Sequence, residues 1–556
     1  MNRFLSITLG VLLLLGASAE PLQAARKNGP TATWGSIDER YPETITAVRG
    51  TPSLRLTGWR GERVMAQALV QAPAGADGVT FELSALQGSR GTLSADCAET
   101  GFVTAVWTDC LNPDGTGCGV RTDRSRFDSS RVADRIDIHT KAVALAEGTQ
   151  QGFWLSLDIP RDAAPGRYRG TLRFFEAGKP FATLPLQLDV SPYTLPERGA
   201  FQLDLWQNPF AVARVEGVPL WSEAHFAAMR PLMERLARAG QKVVTCSIMH
   251  HPWNAQTYDP FTSMITWTRT VDGGWRFGYE VFDRWVEFMF SCGIDGRINC
   301  YSMVPWALSF PYFDEATATV QQLHAAPGDR AYDAMWTAML KSFARHLKEK
   351  GWFERTAIAM DERPYETMLR TLDVIRAGDP GFHVALAGNW YPELEGDLDD
   401  YCLPVTAYFP DDVLAARQAR GAVSTVYTCC TEGYPNTFTF SPPAEAEWIG
   451  WHVAARGLDG YLRWAYNSWT EDPVHDSRFR TWAAGDTYLV YPGNCPSIRF
   501  ERLVRGIQAW EKLHILRENG VAVEDFLAPF TLEALATGPA ATMVSAAREA
   551  LGTRGF

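Results

Sequence analysis

The feature that most constrains this chain is a change of period near residue 201. From there to about residue 466, short apolar runs alternate with long helical segments, the pattern of βαβ units in a parallel sheet. Strands are expected over 201–206, 242–249, 297–303, 356–360, 383–387, 401–408, 423–429 and 460–466. Helices are expected over 222–239, 281–291, 329–350, 365–377 and 444–455, the first opened by Ser222 as N-cap and stopped by Gly240. Eight strands within roughly 270 residues predict an α/β fold of the (β/α)8 type, a TIM-like barrel. A doubly wound sheet is the alternative. The barrel domain is placed over 200–515. A strand with a turn is expected over 485–493, then an amphipathic helix over 497–518 with apolar Ile498, Leu503, Ile507, Trp510 and Leu513. Residues 516–556 are expected to form a helical tail.

Before the change of period the chain reads differently. Residues 31–195 carry short alternating runs cut by Gly, Pro, Asp and Asn, such as Gly152-Phe153-Trp154-Leu155-Ser156-Leu157 and the Pro165-Gly166 turn feeding 167–175. Strands so spaced predict a β-sandwich. It is read as a supporting domain, with a carbohydrate-binding module as the alternative because of Trp34, Trp59 and Trp107. At the N-terminus, Arg3 precedes an apolar run over 4–15 and an Ala17-Ser18-Ala19 site. Residues 1–19 therefore read as a secretory signal peptide, too short to span a bilayer, and predict a periplasmic or secreted protein without stable membrane insertion.

One stretch concentrates the chemistry. Thr356-Ala357-Ile358-Ala359-Met360 reads as a strand buried on both faces, and it runs straight into Asp361-Glu362-Arg363-Pro364. Pro364 holds Arg363 extended and ends the pairing. Two acids thus sit where a parallel strand opens into a loop, the place where catalytic groups collect. The competing reading is that one of them caps the next helix. The other strand ends carry Asn208, His250 and His251, Trp306, Asn389 with Trp390 and Tyr391, Tyr408, Glu432, Trp464, Tyr466, Asn467 and Trp469. Aromatics, amides and carboxylates on one rim suit a sugar, because indoles stack on pyranose faces and amides bond hydroxyls. The chain has 20 Trp, of which at least half are expected in the core. Asn208, His250, Trp306, Asn389, Tyr408, Trp464, Tyr466, Asn467 and Trp469 are the candidate substrate contacts.

Glycoside cleavage needs a proton for the leaving oxygen and a group to stabilise an oxocarbenium-like centre. Paired carboxylates serve, because their mutual repulsion keeps one protonated near neutrality. Adjacent acids are too close to flank a sugar as nucleophile and acid. They fit substrate-assisted chemistry, in which the sugar's own 2-acetamido oxygen attacks the anomeric carbon. The order of sandwich then barrel, the Asp361-Glu362 pair after a fourth strand, Gly485-Asp486-Thr487-Tyr488-Leu489-Val490-Tyr491-Pro492-Gly493 and Ser497-Ile498-Arg499-Phe500-Glu501-Arg502-Leu503-Val504-Arg505-Gly506-Ile507-Gln508 together resemble glycoside hydrolase family 123. The resemblance implies a β-N-acetylgalactosaminidase with Asp361 orienting the acetamide and Glu362 as general acid/base. Two other readings stand beside it. One is a retaining enzyme resembling clan A, with Glu362 as acid/base and Glu432 as nucleophile, although Asp361 stands where such enzymes usually carry Asn. The other is an inactive secreted carbohydrate-binding protein.

The remaining composition excludes more than it adds. A net charge of −12 offers no basic field for nucleic acid. Neither CxxC nor a zinc spacing occurs, so no metal or other cofactor is expected. Of the 10 Cys, Cys110 and Cys118 flank a turn-rich loop that a disulfide could staple, with Cys97 as a competing partner. Cys246, Cys292, Cys300, Cys402, Cys429 and Cys430 lie in or near apolar segments and are expected as buried thiols, while Cys495 is open to either state.

Overall fold

The computed structural model describes residues 29–554; the proposed signal peptide over 1–19 lies outside the described residues. Residues from Thr31 to Thr194 build two packed sheets. One is antiparallel, ordered Thr31–Gly35, Arg63–Ala72, Thr149–Asp158, Ala98–Thr108, Ser130–Asp137. The other centres on the long pair Gly166–Glu176 and Lys179–Thr194, with Leu54–Arg60 added in parallel at one edge. Alternation puts Phe102, Phe153 and Phe174 between the sheets without exposure, where their rings meet edge to face. Two of the Trp that left a sugar-binding module open are spent on this packing. Trp34 is buried and donates to the Pro185 carbonyl; Trp59 is buried and stacks on Tyr193. Trp107 stays exposed, but Arg478 lies over its ring and its backbone bonds to His475 and Ser477.

The second domain is a parallel eight-stranded barrel with strands at all eight expected places: β1 Gln202–Leu205, β2 Val243–Ser247, β3 Arg297–Tyr301, β4 Thr356–Asp361, β5 His383–Ala387, β6 Asp400–Pro404, β7 Val423–Tyr427 and β8 Gly460–Arg463. Seven parallel pairings join them in one sheet from β2 through β3 to β8 and on to β1. The ring closes between β1 and β2 with a single backbone bridge, Leu203 to Gln241. Two buried amides complete that seam. Gln241 accepts from Leu205 N and donates to Val243 O; Gln207 accepts from Thr245 N and donates to Val243 O. Side chains thus satisfy backbone groups that a ladder would otherwise pair.

Alternation divides each strand between two environments. In β4 and β5, Ala357, Ala359, Ala385 and Ala387 face the barrel lumen, and Ile358, Met360, Val384 and Leu386 face the helices. Small inward residues leave room for the aromatics that floor the site. Two segments depart from expectation. No strand is expected between 249 and 297, yet this stretch contains Thr266–Arg269 and Trp275–Gly278; with Ser309–Asp314 and Thr319–His324 they form a separate four-stranded sheet. Its strands are short and largely solvent-facing, so no buried apolar run marks them in the sequence. Within 485–493 only Val490–Tyr491 is strand, paired with Cys495–Pro496.

The helix Ile498–Glu518 buries its polar side as well as its apolar one, because it lies between barrel and sandwich. Arg499 pairs with Asp134, Arg502 with Asp38 and Glu447, Glu501 with Arg63, and Lys512 with Glu62. Removing one partner from such a buried pair strands the other charge. Three short or medium helices, Glu524–Leu527, Leu532–Thr537 and Ala540–Arg554, follow it. Among the described residues no helix is long and apolar enough to cross a membrane.

Candidate active site

The site begins where β4 ends. Asp361 continues the inward series of Ala357 and Ala359, and Glu362 follows it with its N–H still bonded to Ala387 O at 2.8 Å. Gly388 passes so close that a Cβ there would stand 3.2 Å from Glu362 Cα. The next helix, Tyr365–Gly378, is entered through Pro364 with no side-chain cap bond. Neither acid is consumed as a helix cap.

Each carboxylate has its own partners. Asp361 accepts from the Trp306 indole N–H at 3.1 Å and from Arg363 Nη2 at 2.9 Å. The Arg363 guanidinium also lies over the Trp306 ring, 4.2 Å from its centroid. Asp361, Trp306 and Arg363 therefore hold one another, while Trp306 keeps 43% of its surface exposed. Glu362 accepts from the Tyr427 hydroxyl, at the end of β7, at 2.7 Å. Glu362 remains exposed, as an acid that must reach a substrate has to be. Protein crowded around its carboxyl nevertheless raises its pKa, and the charges of Asp361 and Glu432 push the same way; the Tyr427 bond and Arg363 pull it down. A raised carboxyl pKa beside a second carboxylate is the electrostatic arrangement of a general acid.

Around the pair lies a pocket with five indoles in its wall: Trp206, Trp253, Trp306, Trp464 and Trp482. Trp206 and Trp253 stack at 4.8 Å between centroids and lean on Tyr301. Trp464 meets Trp482 edge-on and donates to Asp486. Asp486 also takes Arg463 Nη2 at 2.7 Å, and burial raises its pKa against that pull. Beneath the pocket, Asp204 on β1 is buried near Asp400, which is paired with Arg297. Burial first, and the Asp400 charge second, push the Asp204 pKa up to about 7.

Of the candidate contacts, Trp306 and Trp464 line this pocket. The others do not. Asn208 is the N-cap of the helix Pro209–Glu216 and is bonded to Ser468, and Asn467 clasps the backbone of Asn208 from both ends of its amide. Tyr466 and Trp469 are buried, donating to Leu232 O and Val490 O. These four correct the rim assignment: their side chains pack into the turns that follow β1 and β8, and their polar groups serve those turns. His250 stacks on His251 at 4.0 Å, Asn389 is exposed with its carbonyl accepting from Tyr401, and Tyr408 lies against Arg456; none of the three lines the pocket. Glu432 is buried, with one oxygen on Cys429 N and the other on the Thr431 hydroxyl. Its carboxylate holds its own turn.

Trp206, Trp253, Tyr427, Trp482 and Asp486 were not marked in the sequence. Trp206 and Tyr427 end strands and are open to the same reading as Trp306; Trp253 and Trp482 stand on long loops that no period locates, and Asp486 falls in the expected strand 485–493 but before its observed start at Val490. The cysteines also need correction. Cys430 is bonded to Cys118, 312 residues away, while Cys110 and Cys97 are free thiols. A local staple was the expectation, but folding carries the 109–129 loop to the barrel mouth. Among the described residues no group of three or more His, Cys, Asp or Glu is placed to hold a metal ion.

Comparison with known proteins places this geometry. Residues 206–516 match the glycoside hydrolase 123 catalytic domain, and residues 34–174 match the glycoside hydrolase 123 N-terminal domain. The chain is similar to the solved structure of a family 123 glycoside hydrolase from Clostridium perfringens, whose study concerns glycolipid glycan hydrolysis: 25% identity, TM-score 0.80, 90% of this chain and 91% of that one covered. A GH5 xyloglucanase from Bacteroides ovatus (12% identity, TM-score 0.31, 82% and 98% covered) and a family 39 glycoside hydrolase from Bacteroides cellulosilyticus (9%, 0.34, 82% and 82%) are too distant in shape to carry an argument. No curated protein sequence matches the chain.

Proposed function

Because the chain belongs to glycoside hydrolase family 123, we propose that it removes terminal β-linked N-acetylgalactosamine from glycans by retaining, substrate-assisted hydrolysis through an oxazoline. The observation that carries this reading is the pair itself: two adjacent carboxylates with separate partners, Asp361 on Trp306 and Arg363, Glu362 on Tyr427. Asp361 orients the acetamide N–H and stabilises the positive charge of the oxazolinium as the acetamide oxygen closes on C1. Glu362, whose pKa is raised by burial and neighbouring charge, gives its proton to the departing oxygen. It then takes a proton from the water that opens the ring. The indole-lined pocket supplies stacking faces for the sugar ring.

The clan-A-like reading requires Glu432 as a nucleophile, and its oxygens already serve Cys429 and Thr431. The glycolipid glycan hydrolysis named for the Clostridium relative favours a glycolipid-type glycan here also. A disulfide joining segments 312 residues apart fits an oxidising compartment, and with the signal-like pattern over 1–19 supports export to the periplasm or beyond. The deciding assay is hydrolysis of aryl β-N-acetylgalactosaminide beside the N-acetylglucosaminide and simple galactoside, with a thiazoline mimic as inhibitor. Activity confined to 2-acetamido sugars and blocked by the thiazoline supports the proposal. A wild-type protein silent on all aryl amino sugars sinks it.

A further inference from the structure

Part of the pocket wall is held from the other domain. The sandwich loop 109–129, between the strands Ala98–Thr108 and Ser130–Asp137, is wedged between two loops of the barrel mouth. One carries Cys429 and Cys430, the other Trp482 and Asp486, and all four line the pocket. Gly117 bridges them, its N–H on Cys430 O at 2.6 Å and its carbonyl on Ala483 N at 3.0 Å. A Cβ at Gly117 would stand 2.8 Å from the Ala483 methyl and 3.1 Å from Phe438. Asp109 accepts from Ala484 N with one oxygen and from the buried Arg121 with the other. Arg121 N in turn reaches Arg480 O. The Cys118–Cys430 disulfide lies at the centre of this clasp and turns it into a covalent tie.

We propose that Cys118, through its disulfide to Cys430, is a positioning residue for the substrate pocket, so that the N-terminal domain helps set substrate affinity. The acids are anchored elsewhere: Asp361 ends β4, Glu362 follows it, and they take Trp306, Arg363 and Tyr427 as partners. Opening the tie loosens the wall and leaves the pair in place. Substrate binding weakens while the chemical step is retained.

The test uses Cys118→Ser, which removes the tie without substituting a pocket residue, and wild type treated with dithiothreitol, whose two thiols pass two electrons and two protons to the disulfide and close to a cyclic disulfide. Loosening one wall is expected to raise KM about tenfold with kcat within about twofold. Reoxidation restores wild-type KM, and Cys97→Ser, at the end of the strand Ala98–Thr108 opposite the loop, leaves it unchanged. Equal KM in oxidised and reduced protein, or a loss confined to kcat, overturns the proposal. The kinetic arm rests on the glycosidase reading, so a second measurement is independent of it. Amide hydrogen exchange in the folded, reduced protein is expected to speed up over 429–438 and 480–486 and not over 356–363. Unchanged exchange in those two loops overturns the inference even if the enzyme proves inactive on amino sugars, and it also decides the case should Cys118→Ser fail to fold.

Discussion

Trp306 donates its indole N–H to Asp361 at 3.1 Å, and so a residue of the β3–β4 connection fixes the orientation of a carboxylate at the end of β4. Arg363 backs both, bonding Asp361 and covering the Trp306 ring. Trp306→Phe keeps a ring for Arg363 and for a sugar but removes the N–H. It is expected to lower kcat about tenfold with little change in KM, since one charge-assisted bond of roughly 1.5–3 kcal/mol is lost from a group that acts in the transition state. Steady-state kinetics on an aryl glycoside check this; a change in KM alone would assign Trp306 to binding only.

Glu362→Gln is expected to reduce kcat by about 10²–10⁴-fold on substrates with poor leaving groups. With a nitrophenolate leaving group, which departs without protonation, the loss in the first step is smaller. Equal losses on both classes would remove Glu362 from the acid role.

Tyr427→Phe tests the pH dependence. The Tyr427 hydroxyl donates to Glu362 and lowers a pKa that burial and neighbouring charge have raised. The acid must be protonated to act, so activity declines as pH rises through its pKa. Loss of the hydroxyl raises that pKa further and moves the basic limb of the kcat/KM profile to higher pH. A limb that stays in place, or moves down, contradicts the assignment.

Glu432→Gln separates the two enzymatic readings. Its charge contributes to the raised Glu362 pKa, so the amide is expected to move the basic limb slightly down and to cost less than about tenfold in kcat. A nucleophile would lose orders of magnitude more, and mass spectrometry of the wild type would then detect a glycosylated Glu432.

Asp204 predicts a pH-dependent stability. Its pKa in the fold, about 7, stands above its unfolded value of roughly 3.9. Below the unfolded value both states hold the proton and the fold loses nothing. As pH rises towards 7 the unfolded chain releases the proton and the folded one keeps it, so stability falls by about 1.4 kcal/mol per unit of separation and levels off above 7. Asp204→Asn removes that decline. Urea unfolding from pH 4 to 8 is expected to show variant and wild type diverging up to neutrality; parallel curves would mean Asp204 titrates normally.

The architecture was legible because it is written in local periods. Strands over 356–360 and 383–387 are apolar runs of the right length between helices of 3.6 period, and a buried parallel sheet leaves no other reading of them. The position of Asp361 and Glu362 followed from the same logic, since a strand's end and an X-Pro step are local facts. The periphery was not legible. Asn208, Tyr466, Asn467 and Trp469 have the chemistry of sugar ligands but are buried against the barrel's outer turns, and nothing in their spacing says so. Ser309–Asp314 and Thr319–His324 bury almost nothing, so no apolar run announces them.

By itself, then, the sequence determined that a sandwich precedes an eight-stranded barrel and that two acids end its fourth strand, because strand and helix patterns depend on neighbours two to four residues away. Tertiary structure alone decided which aromatics meet those acids, that Tyr427 reaches Glu362 across 65 residues, and that Cys118 finds Cys430 across 312. Such contacts are made by closing the barrel and docking the sandwich on it, and their partners leave no periodic trace along the chain.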